Sequence, residues 1–186
     1  EYEQMLEENP FFLARAKGVG YITRELAEDV GIAGPLLRGS GVNFDLRKNA
    51  PYSSYPDFQF TIPVETEGDC FARYRVRMAE FRQALSIARQ AIDKLPEGPI
   101  SSLPGLKSVA QVRVPKGEAY IRVEGPRGEV GCYLVADGSA KPYRMKWRGA
   151  SFSNLAVLPY IVPGHKVADV PAIMGSVDPV FGEVDR

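Results

Sequence analysis

The stretch that most constrains the fold is 69–95, where apolar side chains recur every three or four residues. That spacing predicts one continuous helix face. Asp69 follows a glycine and can cap the helix, and Pro96 with Gly98 would end it. About 26 residues at 1.5 Å each would give a helix roughly 39 Å long, which suits a helix bundle. The apolar stripe consists of Phe71, Tyr74, Met78, Phe81, Leu85, Ala88, Ile92 and Leu95.

The other face of this predicted helix is rich in arginine. Two interpretations stay open from the sequence. The face is either exposed to solvent, or it pairs with acidic groups of a neighbouring subunit. The arginines are Arg73, Arg75, Arg77, Arg82 and Arg89.

The regions on either side predict shorter elements. Residues 1–17 are typical of a helix interrupted at Asn9-Pro10, and a second helix is expected from Thr23, a good N-cap, to Gly31. The segment 34–64 is rich in glycine, proline and aromatic residues, which favours an irregular segment that wraps over other elements. After a loop at 96–117, alternating residues predict three strands, followed by short helices at 151–158 and 166–175. The predicted strands are Ala119–Glu124, Val130–Ala136 and Tyr143–Arg148.

Together these elements predict an α+β fold. It combines a long bundle helix, a small antiparallel β-meander and short C-terminal helices. The expected division is a helical part (1–95), a loop (96–117) and a part formed by the meander and the C-terminal tail (118–186). Because the chain opens inside a helical pattern without a methionine, we interpret it as part of a longer protein.

Composition argues against several function classes. The 23 Lys and Arg residues balance the 23 Asp and Glu residues, so the basic surplus typical of nucleic-acid binding is missing and we expect no such partner. The longest apolar runs are far shorter than the roughly 20 residues needed to span a bilayer. Any membrane association is therefore expected to depend on partner proteins.

Few residues suggest catalysis or metal binding. His165 is the only histidine, which favours a surface or structural residue. Cys70 and Cys132 lie far apart, which favours two reduced core thiols. The run 38–41 (Arg-Gly-Ser-Gly) lacks the Gly-Lys-Ser/Thr ending of a phosphate-binding loop, so we interpret it as a turn that needs flexible glycines. The sequence predicts no catalytic residue and no metal site in this chain.

Five blocks, in order along the chain, resemble the D-type core subunit of proton-pumping NADH-quinone oxidoreductase (respiratory complex I), a relative of the large subunit of [NiFe]-hydrogenase. The match weakens only near 96–112. The blocks are GPLLRGSGVNFDLRK (34–48) with PYSSY (51–55), DCFARYRVRMAEFRQ (69–83), PKGEAYIRVEGPRGEVGCYLVADGSAKPYRMKWR (115–148), SFSNLAVLP (151–159) and ADVPAIMGSVDPVFGEVDR (168–186).

The resemblance implies a hydrogenase-like fragment of the quinone-reducing core subunit. In that family the subunit lies in the peripheral arm, on the cytoplasmic or matrix side of the membrane. Its partners are the iron–sulfur subunit, the other peripheral-arm subunits and a membrane-arm subunit. Quinone would be the substrate, and electrons would come from the iron–sulfur cluster of the neighbouring subunit, so this chain is expected to bind no cofactor. The tyrosine and histidine that bind the quinone head lie in the family's N-terminal half, so the chain alone should be inactive.

The C-terminal tail is where the resemblance to hydrogenases is most informative. Hydrogenase large subunits end in a DPCxxC motif that binds nickel and iron. Asp178 and Pro179 match it, but Val180 and Glu183 stand where the two cysteines would be. Because nickel and iron in such sites need soft thiolate ligands, the resemblance implies a former metal pocket that now serves as a quinone cavity. The implied cavity wall is Asp178, Val180 and Phe181, and the implied supporting ionic residues are Glu183 and Arg186.

Three functional interpretations follow. The leading one is a wall of the quinone cavity together with the contact surface for the iron–sulfur subunit. The second is a related large subunit in another membrane-bound dehydrogenase or in an energy-converting hydrogenase. The third is a structural scaffold without a role in the cavity.

Overall fold

The chain alternates short helices with one long helix and one small sheet. The computed structural model describes residues 2–99 and 113–185. The helices are α1 (Tyr2–Glu7), α2 (Pro10–Ala16), α3 (Arg24–Val30), α4 (Pro35–Gly39), α5 (Leu46–Asn49), α6 (Cys70–Asp93), α7 (Ala150–Leu155), α8 (Leu158–Ile161), α9 (Val170–Val177) and α10 (Phe181–Val184), with 3-10 turns at Tyr55–Asp57 and Val167–Asp169.

Local capping chemistry decides where several helices begin and end. The side chain of Asn9 accepts hydrogen bonds from the first backbone amides of α2, with Pro10 in the first turn. Thr23 caps α3, and Gly31 ends it in the left-handed conformation. The Asp69 side chain accepts from the backbone N–H of Ala72 at the start of α6. These predicted boundaries are therefore confirmed.

Helix α6 is the long helix that the apolar stripe predicts, but its arginine face is not what the sequence indicated. Arg73 is fully buried within this chain, so both interpretations from the sequence are wrong for this residue. Its guanidinium donates to the backbone oxygens of Gly20 and Gly68 and to the hydroxyl of Ser176. A buried cation is tolerated because these oxygens replace its hydration.

The three strands form one antiparallel meander in the order β1-β2-β3, as predicted. The strand β1 (Gly117–Gly125) pairs with β2 (Gly128–Ala136) along its whole length, so Pro126 and Arg127 form a two-residue turn. The strand β3 (Arg144–Arg148) pairs with the middle of β2. The predicted α+β fold with a β-meander is confirmed.

The segment 34–64 is more ordered than its composition indicated. It contains α4, α5 and a 3-10 turn, so the prediction of an irregular segment is wrong for these residues. Pro35 occupies the first turn of α4, and Asp45 caps α5 through its side chain. The run 38–41 does contain a turn with glycine at positive φ, at Gly41, but Gly39 belongs to α4.

The hydrophobic core lies between α3, α4, the first turns of α6 and the C-terminal helices. It takes residues from both sides of the predicted loop at 96–117, of which 100–112 lie outside the described residues. The division of the chain at this loop stays a prediction. The fully buried members of the core include Ile22, Ala27, Leu36, Val157, Ile173 and Val177. Within the described ranges, no helix is both long and apolar enough to cross a membrane.

Candidate functional site

The C-terminal tail leaves α9 through a sharp turn at Asp178. This residue has φ 55° and ψ 55°, the left-handed conformation that a residue with a side chain rarely adopts. The guanidinium of Arg127 holds the turn from the tip of the β1–β2 hairpin. Its Nε donates to the Asp178 carbonyl oxygen at 2.8 Å, and its Nη2 lies 3.2 Å from the Asp178 carboxylate.

The next residues of the tail are held by the start of α7. The backbone N–H of Val180 donates to the Ser151 hydroxyl at 3.1 Å. In return, the Ser151 backbone N–H donates to the Glu183 carboxylate at 3.0 Å. The predicted supporting residue Glu183 therefore contacts the helix beside the tail, whereas Arg186 lies outside the described residues. Ser151 itself is almost fully buried.

Two cavities meet at Asp178. The first is about 360 Å³ in volume and lies between α2, α6 and α9. The second is about 440 Å³ and lies between α6, the hairpin turn and the tail. Asp178 lines both, and its assignment to a quinone-cavity wall stays a prediction. Val180 is half-buried and Phe181 is 69% exposed, and neither borders these two cavities in the described chain.

The first cavity has an apolar lining with two unsatisfied polar groups. Phe12, Ala16 and Ala172 form apolar parts of the lining. The Tyr74 hydroxyl and Arg77 Nη2 are buried, and neither has a hydrogen-bond partner among the described residues. Buried polar atoms normally have a partner, so these two atoms suit a ligand or protein group that supplies oxygen acceptors. An apolar space with a few fixed polar groups is typical of small-molecule sites.

The second cavity is lined by a cluster of opposite charges centred on Arg38. Its guanidinium is 1% exposed and contacts the carboxylates of Glu80 at 2.6 Å, Glu124 at 2.9 Å and Asp45 at 3.6 Å. Burial lowers the pKa of Arg38, but these three carboxylates outweigh that effect and raise it above its ordinary value. Arg38 therefore stays charged, and its contacts fix α4, α5, α6 and β1 against one another.

Arg77 has a different environment from Arg38. Burial lowers its pKa below the ordinary value, since the opposing attraction from Asp178 is smaller. No salt bridge reaches Arg77 within the described ranges. It lines both cavities, so its charge is available to a group that enters either one. The sequence had placed Arg77 on the surface or in a subunit contact and gave it no part in the site.

The structure also adds residues that sequence reasoning missed. Arg127 and Ser151 hold the tail, yet they lie 51 and 29 residues from their partners. Sequence spacing carries no signal for such contacts, although both residues fall inside blocks of the family resemblance. His165 has the structural role that was predicted, because its Nε2 accepts from the Gly20 backbone N–H at 3.3 Å. In the described part of the chain, no group of three His, Cys, Asp or Glu residues could hold a metal ion.

A comparison with known protein families found a match along the whole chain. Residues 1–108 and 105–186 match the family described as the 49 Kd subunit of respiratory-chain NADH dehydrogenase. The chain belongs to this family. The resemblance inferred from the five sequence blocks is thereby confirmed.

Curated relatives are similar along the full length of the chain. It is 51% identical to the D-type subunit of NADH-quinone oxidoreductase from Dehalococcoides mccartyi, covering all of this chain and 50% of that protein. It is 46% identical to the H-type subunit of NAD(P)H-quinone oxidoreductase from Thermosynechococcus vestitus, covering all of this chain and 52% of that protein. The chain thus spans about half the length of the curated relatives it matches.

A solved structure shares the fold. It belongs to the membrane-bound sulfane sulfur reductase, described as an archaeal respiratory membrane complex. The TM-score is 0.91 at 41% sequence identity, with all of this chain and 50% of that chain covered. The hydrogenase-like, complex I-type fold predicted from the resemblance is confirmed by this match.

Proposed function

We propose that this chain forms part of the quinone-reducing core subunit of an NADH-quinone oxidoreductase. In this role, Asp178, Val180 and Phe181 form one wall of the quinone cavity, and Glu183 and Arg186 support that wall. The observation that carries the proposal is the position of Asp178 on two adjoining cavities, at the start of a tail without thiolate ligands. The names of the relatives, which act on quinones, support the choice of substrate.

The chemistry of the site suits a quinone. The apolar lining of the first cavity fits a hydrocarbon ring and tail, and the unsatisfied Tyr74 hydroxyl and Arg77 guanidinium can donate to oxygen acceptors. Val180 lies outside the two cavities, and its apolar side chain stands where the resemblance to hydrogenases implies a cysteine sulfur. The chain's own contribution is to shape the cavity, orient polar groups and limit access of water.

The proposal extends to the surroundings of the subunit. Electrons would come from the iron–sulfur cluster of a neighbouring subunit, in a peripheral arm on the cytoplasmic or matrix side of the membrane. Other peripheral-arm subunits and a membrane-arm subunit would be further partners, and electron transfer from NADH to quinone would be coupled to proton translocation. The isolated chain is expected to reduce no quinone, because the electron donor would belong to a neighbouring subunit, and the tyrosine and histidine that bind the quinone head in this family lie in its N-terminal half.

Val180→Met in the assembled complex tests the wall assignment. Val180 lies outside the two cavities of the described chain, so it would face a quinone space that the neighbouring subunit completes. The longer side chain should narrow that space. The KM for quinone and the inhibitor concentration for half inhibition should then rise about tenfold. NADH oxidation with a water-soluble electron acceptor that does not enter the cavity should not change. Val167→Met is the matched control, since Val167 is 88% exposed. Unchanged quinone kinetics in Val180→Met would contradict the wall assignment and favour a purely structural scaffold.

A second candidate function follows from the solved relative. Its 41% identity leaves room for a complex that reduces sulfane sulfur instead of a quinone. The two functions differ in the electron acceptor that the purified complex uses. Reduction of polysulfide with no reduction of quinone would support the second candidate, and the opposite result would exclude it.

A further inference from the structure

The turn at Asp178 is held by a contact from outside α9. Residues other than glycine adopt the left-handed conformation uncommonly, and aspartate is among those that adopt it most often. Within α9 the turn has one backbone bond, from the Asp178 N–H to the Met174 carbonyl oxygen at 3.1 Å. The carbonyl and the carboxylate of Asp178 are both bound by Arg127. One guanidinium therefore holds the backbone and the side chain of this residue together.

Arg127 can hold the turn because its own backbone is fixed. Its carbonyl oxygen accepts from the side-chain amide of Asn154 at 3.0 Å. The oxygen of the same buried side chain accepts from the backbone N–H of Ala33 at 3.0 Å. The tip of the hairpin is thus tied through Asn154 to α7 and to the residues before α4.

Close packing of glycines fixes the hairpin tip further. A Cβ atom added at Gly34 would lie 2.5 Å from the Arg127 carbonyl oxygen. One added at Gly128 would lie 2.7 Å from Ala33, and Gly128 also has φ +126°. The backbones of the hairpin and of the segment before α4 therefore approach as closely as glycine allows. Arg127 projects from a rigid base towards Asp178.

The tail beyond Asp178 has a second anchor two residues later. The Ser151 hydroxyl accepts from the Val180 backbone N–H. The path of the chain between the two anchors decides where the Val180 side chain points. If Arg127 releases Asp178, the contacts of Ser151 with Val180 and Glu183 remain, and the turn can return to an ordinary backbone conformation.

We propose that Arg127 is the positioning residue of the tail, and that its two-point grip on Asp178 sets the orientation of Val180 and Phe181. This inference rests on the proposed function, because Arg127 would determine the shape of the proposed quinone-cavity wall. Arg127 acts through Asp178. Its side chain also lines the second cavity, together with the acidic Glu80 and Glu124.

Arg127→Met and Arg127→Lys in the assembled complex test the inference. We expect Arg127→Met to raise the KM for quinone about tenfold with a much smaller change in kcat, because a misplaced wall weakens binding first. Lysine carries one ammonium and cannot bind both acceptors with the geometry of a guanidinium, so its KM should lie between those of the unsubstituted complex and Arg127→Met. The rate with an acceptor that does not enter the cavity should not change. Arg122→Met is the matched control in the same hairpin, where the side chain is half-exposed and pairs with Glu129.

Asp178→Gly separates positioning from a direct effect of the charge. Glycine adopts the left-handed conformation without steric strain, so the shape of the turn should depend less on Arg127. In the glycine background, Arg127→Met should therefore change the KM by less than about threefold. The same tenfold rise in both backgrounds would overturn the inference, as would a normal KM in Arg127→Met or in Arg127→Lys. If Arg127→Met does not assemble, the lysine variant decides.

Failure of this inference differs from failure of the proposed function. If Val180→Met alters quinone kinetics and Arg127→Met does not, the wall exists and Arg127 does not position it. If neither variant alters quinone kinetics, the tail does not line the quinone cavity, and both proposals fall.

Discussion

The two ends of α6 have opposite surroundings, although one apolar stripe runs through both. At the first end, Phe71 and Tyr74 pack against Phe12, and Arg73 is buried behind them. At the other end, Leu85 and Ile92 are 69% and 73% exposed. A periodic stripe therefore shows that a helix forms and which residues share a face. It does not show which turns of that face are covered by the rest of the chain.

The largest expected effect concerns the charged cluster where the buried end of α6 meets α4. Arg38→Met would leave Glu80 and Glu124 buried without their guanidinium, so we expect a loss of about 3–5 kcal/mol in the free energy of unfolding. Urea unfolding followed by circular dichroism measures this. Arg75→Met is the control: Arg75 is half-exposed and pairs with Glu65 at 3.3 Å, so the change should be within about 1 kcal/mol. Equal effects of the two substitutions would remove the distinction between buried and exposed arginines.

A smaller effect is expected at Arg73, whose partners are neutral. Arg73→Met would remove the donors to two backbone carbonyls and the Ser176 hydroxyl, and we expect a loss of about 2–3 kcal/mol in the free energy of unfolding. The same urea unfolding measures it, and the exposed Arg89 on the same helix gives the control Arg89→Met. A value within experimental error of that control would mean that the buried network at the first end of α6 adds no stability.

The smallest effect on stability is expected at the exposed end. Phe81→Ser with Leu85→Ser should change the free energy of unfolding by less than about 0.5 kcal/mol, because both side chains already face solvent. The substitution should instead reduce self-association of the chain at high concentration, since exposed apolar patches favour it. Light scattering measures the self-association of the substituted and unsubstituted chains. If the unsubstituted chain stays strictly monomeric at high concentration, the expected self-association through this exposed apolar face is contradicted.

Sequence reasoning succeeded where neighbouring residues decide the local structure. Asn9, Thr23 and Asp69 cap helices through atoms two or three residues away, and the β-meander follows from alternation and turn residues. It was wrong for Arg73, because an arginine is normally exposed unless distant carbonyls surround it. It also missed α4 and α5, although Pro35 and Asp45 carry the usual signals of a helix start.

The candidate site also contains residues that the sequence pointed to and residues that only the tertiary fold brings together. The tail residues came from a family resemblance, and of these the structure places Asp178 on both cavities. Arg127 and Ser151, which hold the tail, come from elements far away in the sequence and depend on the tertiary fold. The unsatisfied atom of Tyr74 lies on the apolar stripe, where the sequence indicated packing. That of Arg77 lies on the arginine face, where the sequence indicated solvent or a contact with a neighbouring subunit.

The most direct test of the central claim is photolabelling of the assembled complex with a photoreactive quinone analogue, followed by peptide mapping. The claim that the tail lines the quinone cavity predicts labelled peptides from residues 178–184, lost when excess unlabelled quinone competes. Labelling that is equally competed by quinone but confined to other segments or other subunits would contradict it.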